Sequence, residues 1–511
     1  MEEAQQALAE HFGYQSFRPG QEELIEAILA GRDAVGIMPT GAGKSLCYQI
    51  PAAVLSGLTI VVSPLISLMG DQVRSLKEAG IRGSYLNSSL TPGQQRVVLA
   101  RALAGWYDLM YVAPERLQDP AFVAFAHEAQ IPLLAVDEAH CISEWGQDFR
   151  PAYLGIREFA EALPKRPVVA AFTATATRTV ERDIKSRLGL QDPVSVHTDF
   201  DRPNLSFIVK KLAPKERLRY IERYLAAHRD TSGIVYCRTR KRTEEVAAAF
   251  LEDGFRAATY HAGMEADERT RAQEAFVQDN VSVIVATNAF GMGIDKSDVR
   301  FVINDGLPLT LEEYYQEAGR AGRDGEPAEC ILLWSDGDIR LAHFLIDRTE
   351  VPEGSGPDVL KERIRCREQL LGSMIGYAES TVCLRARMLR YFGEKADMAG
   401  NCGGCSVCVP TLGELPAARP HVFGGAAEAA SVSSFDEAGD DAEEMFQRLR
   451  ALRKRLADER HIAPYMVFSD ATLRAMVRRR PQTEDGMLEI SGVGQAKLSR
   501  YGAYFLKELQ S

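Results

Sequence analysis

The segment MPTGAGKS (38–45) follows an apolar run and precedes a helical pattern, the setting in which a glycine-rich loop turns backbone N–H groups toward phosphates. Gly41 and Gly43 permit close backbone approach, Lys44 reaches the β- and γ-phosphate oxygens, Ser45 can hold Mg2+, and Thr40 completes the candidate loop. The strict phosphate-loop pattern has glycine where Met38 stands, so the strand-to-helix setting carries part of the argument. In LLAVDEAH (133–140), two carboxylates close a second apolar run. Asp137 there is a candidate Mg2+ ligand, and Glu138 a candidate to orient and deprotonate an attacking water. Further on, YYQEAGRAGRDG (314–325) offers Arg320 and Arg323, spaced one helical turn apart, as cations for the charge on a transferring phosphoryl group. Cys383, Cys402, Cys405 and Cys408 have the spacing C-x18-C-x2-C-x2-C, which can close a tetrahedral thiolate site for Zn2+.

These groups need scaffolds, and the chain is long enough to build several. With 511 residues, 46% hydrophobic and 26% charged, the composition suggests three or four domains. Between Gly31 and Thr175 the runs AVGIM, LTIVVS, YDLMYV, PLLAVD and PVVAAFT alternate with longer amphipathic stretches, the signature of a mostly parallel α/β sheet. The pattern restarts after Pro203 with GIVYC, AATYH, VSVIVAT, RFVIND and CILLW, which predicts a second lobe of the same kind. A helical pattern over Leu341–Phe392 leads into the cysteine knuckle. Residues 411–441 then read as a flexible linker, and Glu443–Ser511 resumes helical periodicity.

The formal net charge of −11 confines any nucleic-acid surface to one groove or domain, and the last segment, with 13 Lys/Arg against 9 Asp/Glu, is a candidate. The other five cysteines are scattered singly, which excludes a disulfide framework. MEEAQQAL (1–8) has no leader character and no run reaches a membrane-spanning length, so a soluble cytoplasmic protein with no membrane partner is expected.

The order of these motifs resembles superfamily 2 helicases, and among them the RecQ family, over residues 8–410 and 442–511. VVSPLISLMGDQV (61–73), YVAPERL (111–117), AFTATAT (171–177), IVYCRTR (234–240), YHAGM (260–264) and VATNAFGMGIDK (285–296) supply the remaining motifs in sequence. FGYQSFRPGQEELI (12–25) resembles the family's adenine-recognition motif, which implies that Tyr14 stacks on the base, Arg18 packs over its other face and Gln21 hydrogen-bonds its edge. AHCISEWGQDFRPAY (139–153) resembles the family's aromatic-rich loop, although Glu144 and Gln147 stand where QWGHDFRP has Gln and His. Trp145 and Phe149 offer faces for bases there, and Arg150 adds charge. Residues 442–511 resemble the helicase-and-RNase-D C-terminal (HRDC) domain, with Tyr465, Lys497 and Arg500 as candidate nucleic-acid contacts and Gly492 and Gly494 giving close backbone approach. Only 34 residues separate Cys408 from Glu443, too few for the winged-helix domain that typical members insert.

The reading is two RecA-like α/β lobes (1–205 and 206–342), a zinc-binding helical module (343–410), a linker and a small all-α bundle (442–511). The resemblance implies an ATP-dependent helicase that uses ATP, Mg2+ and Zn2+ and acts 3′-to-5′ on single-stranded, duplex or branched DNA. Single-strand-binding protein and recombination factors are the implied partners. Two alternatives stay open: a translocase that moves on DNA without efficient unwinding, and an ATP-switched scaffold with little turnover.

Overall fold

The computed structural model describes all residues except 40, 65, 144–148, 230, 291–295, 350–356, 416–439, 461 and 511, and leaves the side chains of 66–68, 357, 359 and 440 undescribed. Thr40 and Trp145 lie outside the described residues, as does most of the expected linker.

Lobe 1 is built on seven parallel strands: β1 (Ala34–Ile37), β2 (Thr59–Val62), β3 (Gly83–Leu86), β4 (Leu109–Val112), β5 (Leu133–Val136), β6 (Val168–Thr173) and β7 (Val194–His197), in the order β3-β4-β2-β5-β6-β1-β7. Six more parallel strands form lobe 2: β8 (Leu205–Lys211), β9 (Ser232–Cys237), β10 (Ala257–Tyr260), β11 (Val283–Ala286), β12 (Val299–Asp305) and β13 (Ala328–Trp334), in the order β10-β11-β9-β12-β13-β8. The central strands are buried from end to end, as in AVGI, TIVV and LLAV, because helices cover both faces of a parallel sheet. Such a sheet places its loops for ligands at the strand C-termini, and the 38–45 loop and the Asp137–Glu138 pair both lie there.

The helices Asp336–Asp347, Pro357–Ala378 and Leu384–Tyr391 follow, then the cysteine knuckle. The knuckle is fastened to lobe 2: Phe207 N donates to Gly404 O (2.9 Å) and Ser406 N to Phe207 O (2.9 Å), so Cys405 bridges to the strand edge at β8. The terminal bundle begins with the helix Asp440–Arg460 and has its own core around Leu449, Phe468, Met476, Tyr501 and Phe505.

The bundle docks on both lobes. Toward lobe 1, Arg500 Nη1 reaches Glu78 Oε2 (2.8 Å), Tyr501 OH donates to the same oxygen (2.9 Å) and Gly492 N donates to Gly13 O (3.3 Å). A Cβ on Gly494 would sit 2.9 Å from Glu10 O, so only glycine allows this approach. Toward lobe 2, Lys454 Nζ donates to Gln278 O (2.8 Å), and the wholly buried Arg453 lies 3.7 Å from Asp298, which Lys296 also pairs (3.0 Å).

Candidate functional site

A cavity of about 390 Å3 opens in the cleft, lined by Gly41, Gly43, Lys44 and Ser45, by Asp137 and Glu138, by Arg320 and Arg323, and on one wall by Tyr465 and Lys497 of the bundle. Residues from three parts of the chain thus share one space.

Gly41 (φ +87°) and Gly43 (φ +83°) take the left-handed conformation that turns the loop, which strains any side chain. Lys44 Nζ donates to Met38 O (3.0 Å), folded back along its own loop. Burial pulls its ammonium below the ordinary lysine range, with Glu138 and Asp137 partly opposing. Gln21, which is almost fully buried, locks the loop: its amide donates to Ala42 O (3.2 Å) and Gly43 O (3.0 Å) and accepts from Arg18 N (2.8 Å). Arg18 Nη1 donates to Gly41 O (2.6 Å), and half-buried Tyr14 lines the same cavity. The trio expected around a base is therefore at the phosphate loop, with the Gln21 amide hydrogen-bonded to the loop backbone.

The carboxylates are held in unequal states. Asp137 N donates to Val62 O (2.9 Å), Tyr153 OH donates to Asp137 O (2.9 Å), and Glu138 N donates to Asp137 Oδ1 (3.0 Å). Burial, then the neighbouring Glu138 charge, pushes the Asp137 carboxyl up to about 7, with Lys44 opposing. Burial would raise Glu138 as well, but the hydrogen bond and charge of His140, helped by Lys44 and Arg320, bring it to about 2. Glu138 also sits at φ +46°, a left-handed conformation that costs a non-glycine residue on the order of 1–3 kcal/mol and clusters at functional sites. His140 lies 3.3 Å from Glu138 Oε2 and 2.9 Å from Thr173 Oγ1, and Thr173 Oγ1 donates to Thr175 O (3.0 Å), whose own hydroxyl accepts from Gln316 of lobe 2 (3.2 Å). This path from carboxylate to second lobe could not be read from the sequence, because its members run from position 138 to position 316.

The arginines do not sit on a helical face as their spacing suggested. The helix Leu311–Ala318 stops before them, and they occupy the turn that follows. Gly322 (φ +55°) makes that turn possible, since a Cβ there would meet Asn204 Nδ2 at 2.5 Å and Glu326 O at 2.7 Å. Arg320 is 8% exposed and its Nε makes no hydrogen bond, while the Arg323 Cγ is 3.7 Å from where a Gly41 Cβ would be. A half-buried carboxylate pair, a lysine and two arginines around one space have the charges to suit a Mg2+–triphosphate, for which Asp137 and Ser45 could offer oxygens to the metal and the cations could face the phosphates.

The four cysteine sulfurs lie within 4.8 Å of one another, a separation that suits four sulfurs about 2.3 Å from one zinc ion. Cys383 caps the helix Leu384–Tyr391 from outside it, its Sγ accepting from Ala386 N (3.5 Å), and Cys402 Sγ accepts from Gly404 N (3.4 Å). Burial would raise the Cys405 thiol, but the backbone N–H groups of Cys408 and Leu384 draw it down to about 7.

Of the aromatic loop, Phe149 is half-buried, and Arg150 ties the loop's end to both neighbours: its N donates to Cys141 O (2.8 Å) and its Nη1 to Pro64 O (2.9 Å). The bundle candidates fall elsewhere than a free basic face. Arg500 is spent on Glu78, while Lys497, whose ammonium burial lowers to about 8, faces the nucleotide-sized cavity together with Tyr465. Gly492 and Gly494 approach lobe 1 backbone.

Four family models match the chain: DEAD/DEAH box helicase over 18–183, Helicase conserved C-terminal domain over 216–325, RecQ zinc-binding over 336–409, and HRDC domain over 442–509. The ATP-dependent DNA helicase RecQ of Bacillus subtilis (strain 168) is 38% identical over 603 residues of alignment, covering 99% of this chain and 98% of that protein. Its namesake in Haemophilus influenzae is 37% identical, covering 98% and 94%. An alignment of 603 positions against a chain of 511 leaves at least 92 positions opposite gaps in this chain. Among solved structures, Saccharomyces cerevisiae Dbp5 bound to RNA and ADP BeF3 superposes with a TM-score of 0.54 at 16% identity, covering 72% of this chain and 97% of that one, and so matches in fold alone.

Proposed function

The chain belongs to the RecQ family of helicases, and from that premise we propose that it is an ATP-dependent DNA helicase whose ATP hydrolysis drives movement along single-stranded DNA and separation of duplex or branched DNA. The observation that carries this reading is the shared cavity, with Lys44, Asp137 and Glu138 on lobe 1 facing Arg320 and Arg323 on lobe 2.

Lys44 and the loop amides bind the phosphates, and Glu138, kept anionic by His140, orients water and accepts its proton. Arg320 and Arg323 meet the charge that develops on the transferring group. Because the two sets sit on different lobes, the chemistry is complete only when the lobes come together, so the nucleotide state sets their spacing. Mg2+, when held by Asp137 and Ser45, supplies charge neutralisation to the same phosphates. Zn2+, when held by the four cysteine sulfurs, would be structural, since four thiolate ligands would leave no position for a substrate.

DNA meets Trp145, Phe149 and Arg150 at the loop that begins beside the carboxylates, and polarity is 3′-to-5′. The work belongs to repair and recombination in the cytoplasm, beside single-strand-binding protein and recombination factors. With the zinc-binding match ending at 409 and the HRDC match starting at 442, duplex contact comes from the lobes and zinc module and not from a winged helix.

The test is ATPase and strand separation on tailed duplex by the full chain and by Lys44→Ala and Glu138→Gln. Both variants should lose turnover and unwinding while still binding single-stranded DNA. Undiminished hydrolysis in either would overturn the site assignment, and hydrolysis without unwinding in the parent chain would favour a translocase.

A further inference from the structure

The chain crosses from lobe 1 to lobe 2 between His197 and Leu205, and this connector carries an arginine that lies between the arginine turn and the phosphate loop. Arg202 Nη2 donates to Ala321 O (3.1 Å) and Gly322 O (2.7 Å), the backbone of the turn that presents Arg320 and Arg323. Asn204 supports the same turn, its Nδ2 donating to Gly322 O (2.9 Å) and Glu326 O (2.9 Å). The other end of the guanidinium lies across the cleft at the phosphate loop: a Cβ on Gly41 would be 3.1 Å from Arg202 Nη1 and 3.6 Å from its Cζ. Arg18 and Arg323 are close enough to depress its charge further after burial, so cations gather where the triphosphate is expected.

The connector is itself gripped from behind. Arg385, two residues beyond the zinc ligand Cys383, donates through Nη1 to Asp201 Oδ1 (2.5 Å) and Arg202 O (2.8 Å), and through Nη2 to Leu205 O (2.5 Å). Its guanidinium stacks over Phe207, the residue bridged to Cys405. A continuous set of contacts therefore runs from the zinc knuckle through Arg385 to the connector, and through Arg202 to the arginine turn and the phosphate loop.

We propose that Arg202 is a positioning residue for hydrolysis: it fixes the 321–322 backbone against the phosphate loop so that Arg320 and Arg323 are aimed at the transferring phosphoryl group, from a perch that the zinc module sets through Arg385. The proposal rests on the reading of Arg320 and Arg323 as transition-state cations. A planar fork is needed, because one side chain must serve two adjacent carbonyls and still reach across the cleft; a lysine offers a single point of charge.

The experiment compares Arg202→Ala, Arg202→Lys and Arg320→Ala in the full zinc-loaded chain, reading steady-state kcat and KM for ATP, the Kd of a fluorescent ADP, trapping of ADP by aluminium fluoride, and melting temperature. Losing alignment of a group typically worth about 10³–10⁵ in rate should lower kcat of Arg202→Ala by roughly 10²-fold. KM and ADP affinity should stay within about threefold, and the aluminium fluoride complex, which needs the aimed cations, should fail to form. Arg202→Lys should fall between, with an unchanged melting temperature, which keeps the comparison meaningful if the alanine variant is unstable. Arg385→Gln, with its zinc intact by metal analysis, should show a smaller version of the same split. Wild-type kcat in Arg202→Lys and Arg202→Ala, or a rise in KM and ADP Kd at constant kcat, would overturn the proposal alone. Wild-type kcat in Arg320→Ala would instead sink the reading of the arginine turn, and the proposal with it.

Discussion

Glu78 holds the terminal bundle on lobe 1, and Glu78→Ala should loosen that docking without unfolding either part. Its Oε2 accepts from Arg500 (2.8 Å) and Tyr501 (2.9 Å), and the paired side chains are 16% and 33% exposed. A hydrogen bond to a charged group contributes about 1.5–3 kcal/mol when shielded, whereas an exposed ion pair contributes about 0–1 kcal/mol. Partial exposure puts the two bonds together at about 2–3 kcal/mol, a weakening of docking by roughly 30–150-fold. The lobe 2 contacts of Arg453 and Lys454 survive, so the bundle is loosened on one side only. Hydrogen exchange reads the open fraction directly, and the Gly492 amide, bonded to Gly13 O, is the reporter. Its exchange should quicken by the same roughly 30–150-fold while amides within the helix Asp440–Arg460 keep their protection, and Glu78→Arg with Arg500→Glu should recover part of the loss. Unchanged exchange at Gly492, or equal acceleration throughout the bundle, would refute the reasoning.

Four further outcomes are expected. Because Asp137 takes its proton at about 7 in the metal-free site, protons compete with Mg2+ there. The Mg2+ concentration for half-maximal ATPase should climb as pH falls from about 8 to 6, by up to about tenfold per unit below 7, and a flat Mg2+ requirement would refute the shift. The sign for stability is opposite: with the folded carboxyl raised above its ordinary 3.8, metal-free protein loses stability as pH rises from there to about 7, because the native state keeps a proton that the unfolded chain releases. Metal analysis should find one zinc per chain, and Cys402→Ser should lose it and melt earlier, with nucleotide affinity of the lobes little changed. Phe149→Ala should keep the low DNA-free ATPase rate and lose much of its stimulation by single-stranded DNA, since a stacked base contributes about 1–3 kcal/mol; a lower melting temperature with both rates falling together would mark Phe149 as mere packing.

The ten apolar runs singled out from the sequence are all strands, yet β3, β7 and β8 went unread. All three sit at sheet edges, and GSYL, VSVH and LSFIVKK mix polar and apolar residues, whereas the fourth edge strand, β10, keeps the readable run AATY. The phosphate loop, the carboxylate pair and the cysteines were legible because each is compact and its chemistry dictates its spacing. The seat of Gln21, the path from His140 to Gln316, the Arg202 fork and the Glu78–Arg500 pair were not, because each joins segments far apart in the chain, and no local pattern records who faces whom across a cleft. The basic surplus of the last segment suggested an open nucleic-acid face, but it did not show that part of that charge is consumed in holding the bundle down.

The seam between Phe207 and Cys405 has a bearing on solubility as well as shape. β8 is the end of its sheet, and a parallel strand with unpaired N–H and C=O groups is a template on which another chain can add. The knuckle occupies part of that template: Gly404 O accepts from the Phe207 amide, Ser406 N donates to the Phe207 carbonyl, and Ser406 Oγ accepts from the amide of Val209 (3.1 Å). Those positions are fixed by sulfurs that a metal ion draws together. Stripping the metal therefore uncovers a sticky border on an otherwise folded lobe, and the apoprotein should self-associate through β8 in a concentration-dependent way before it unfolds.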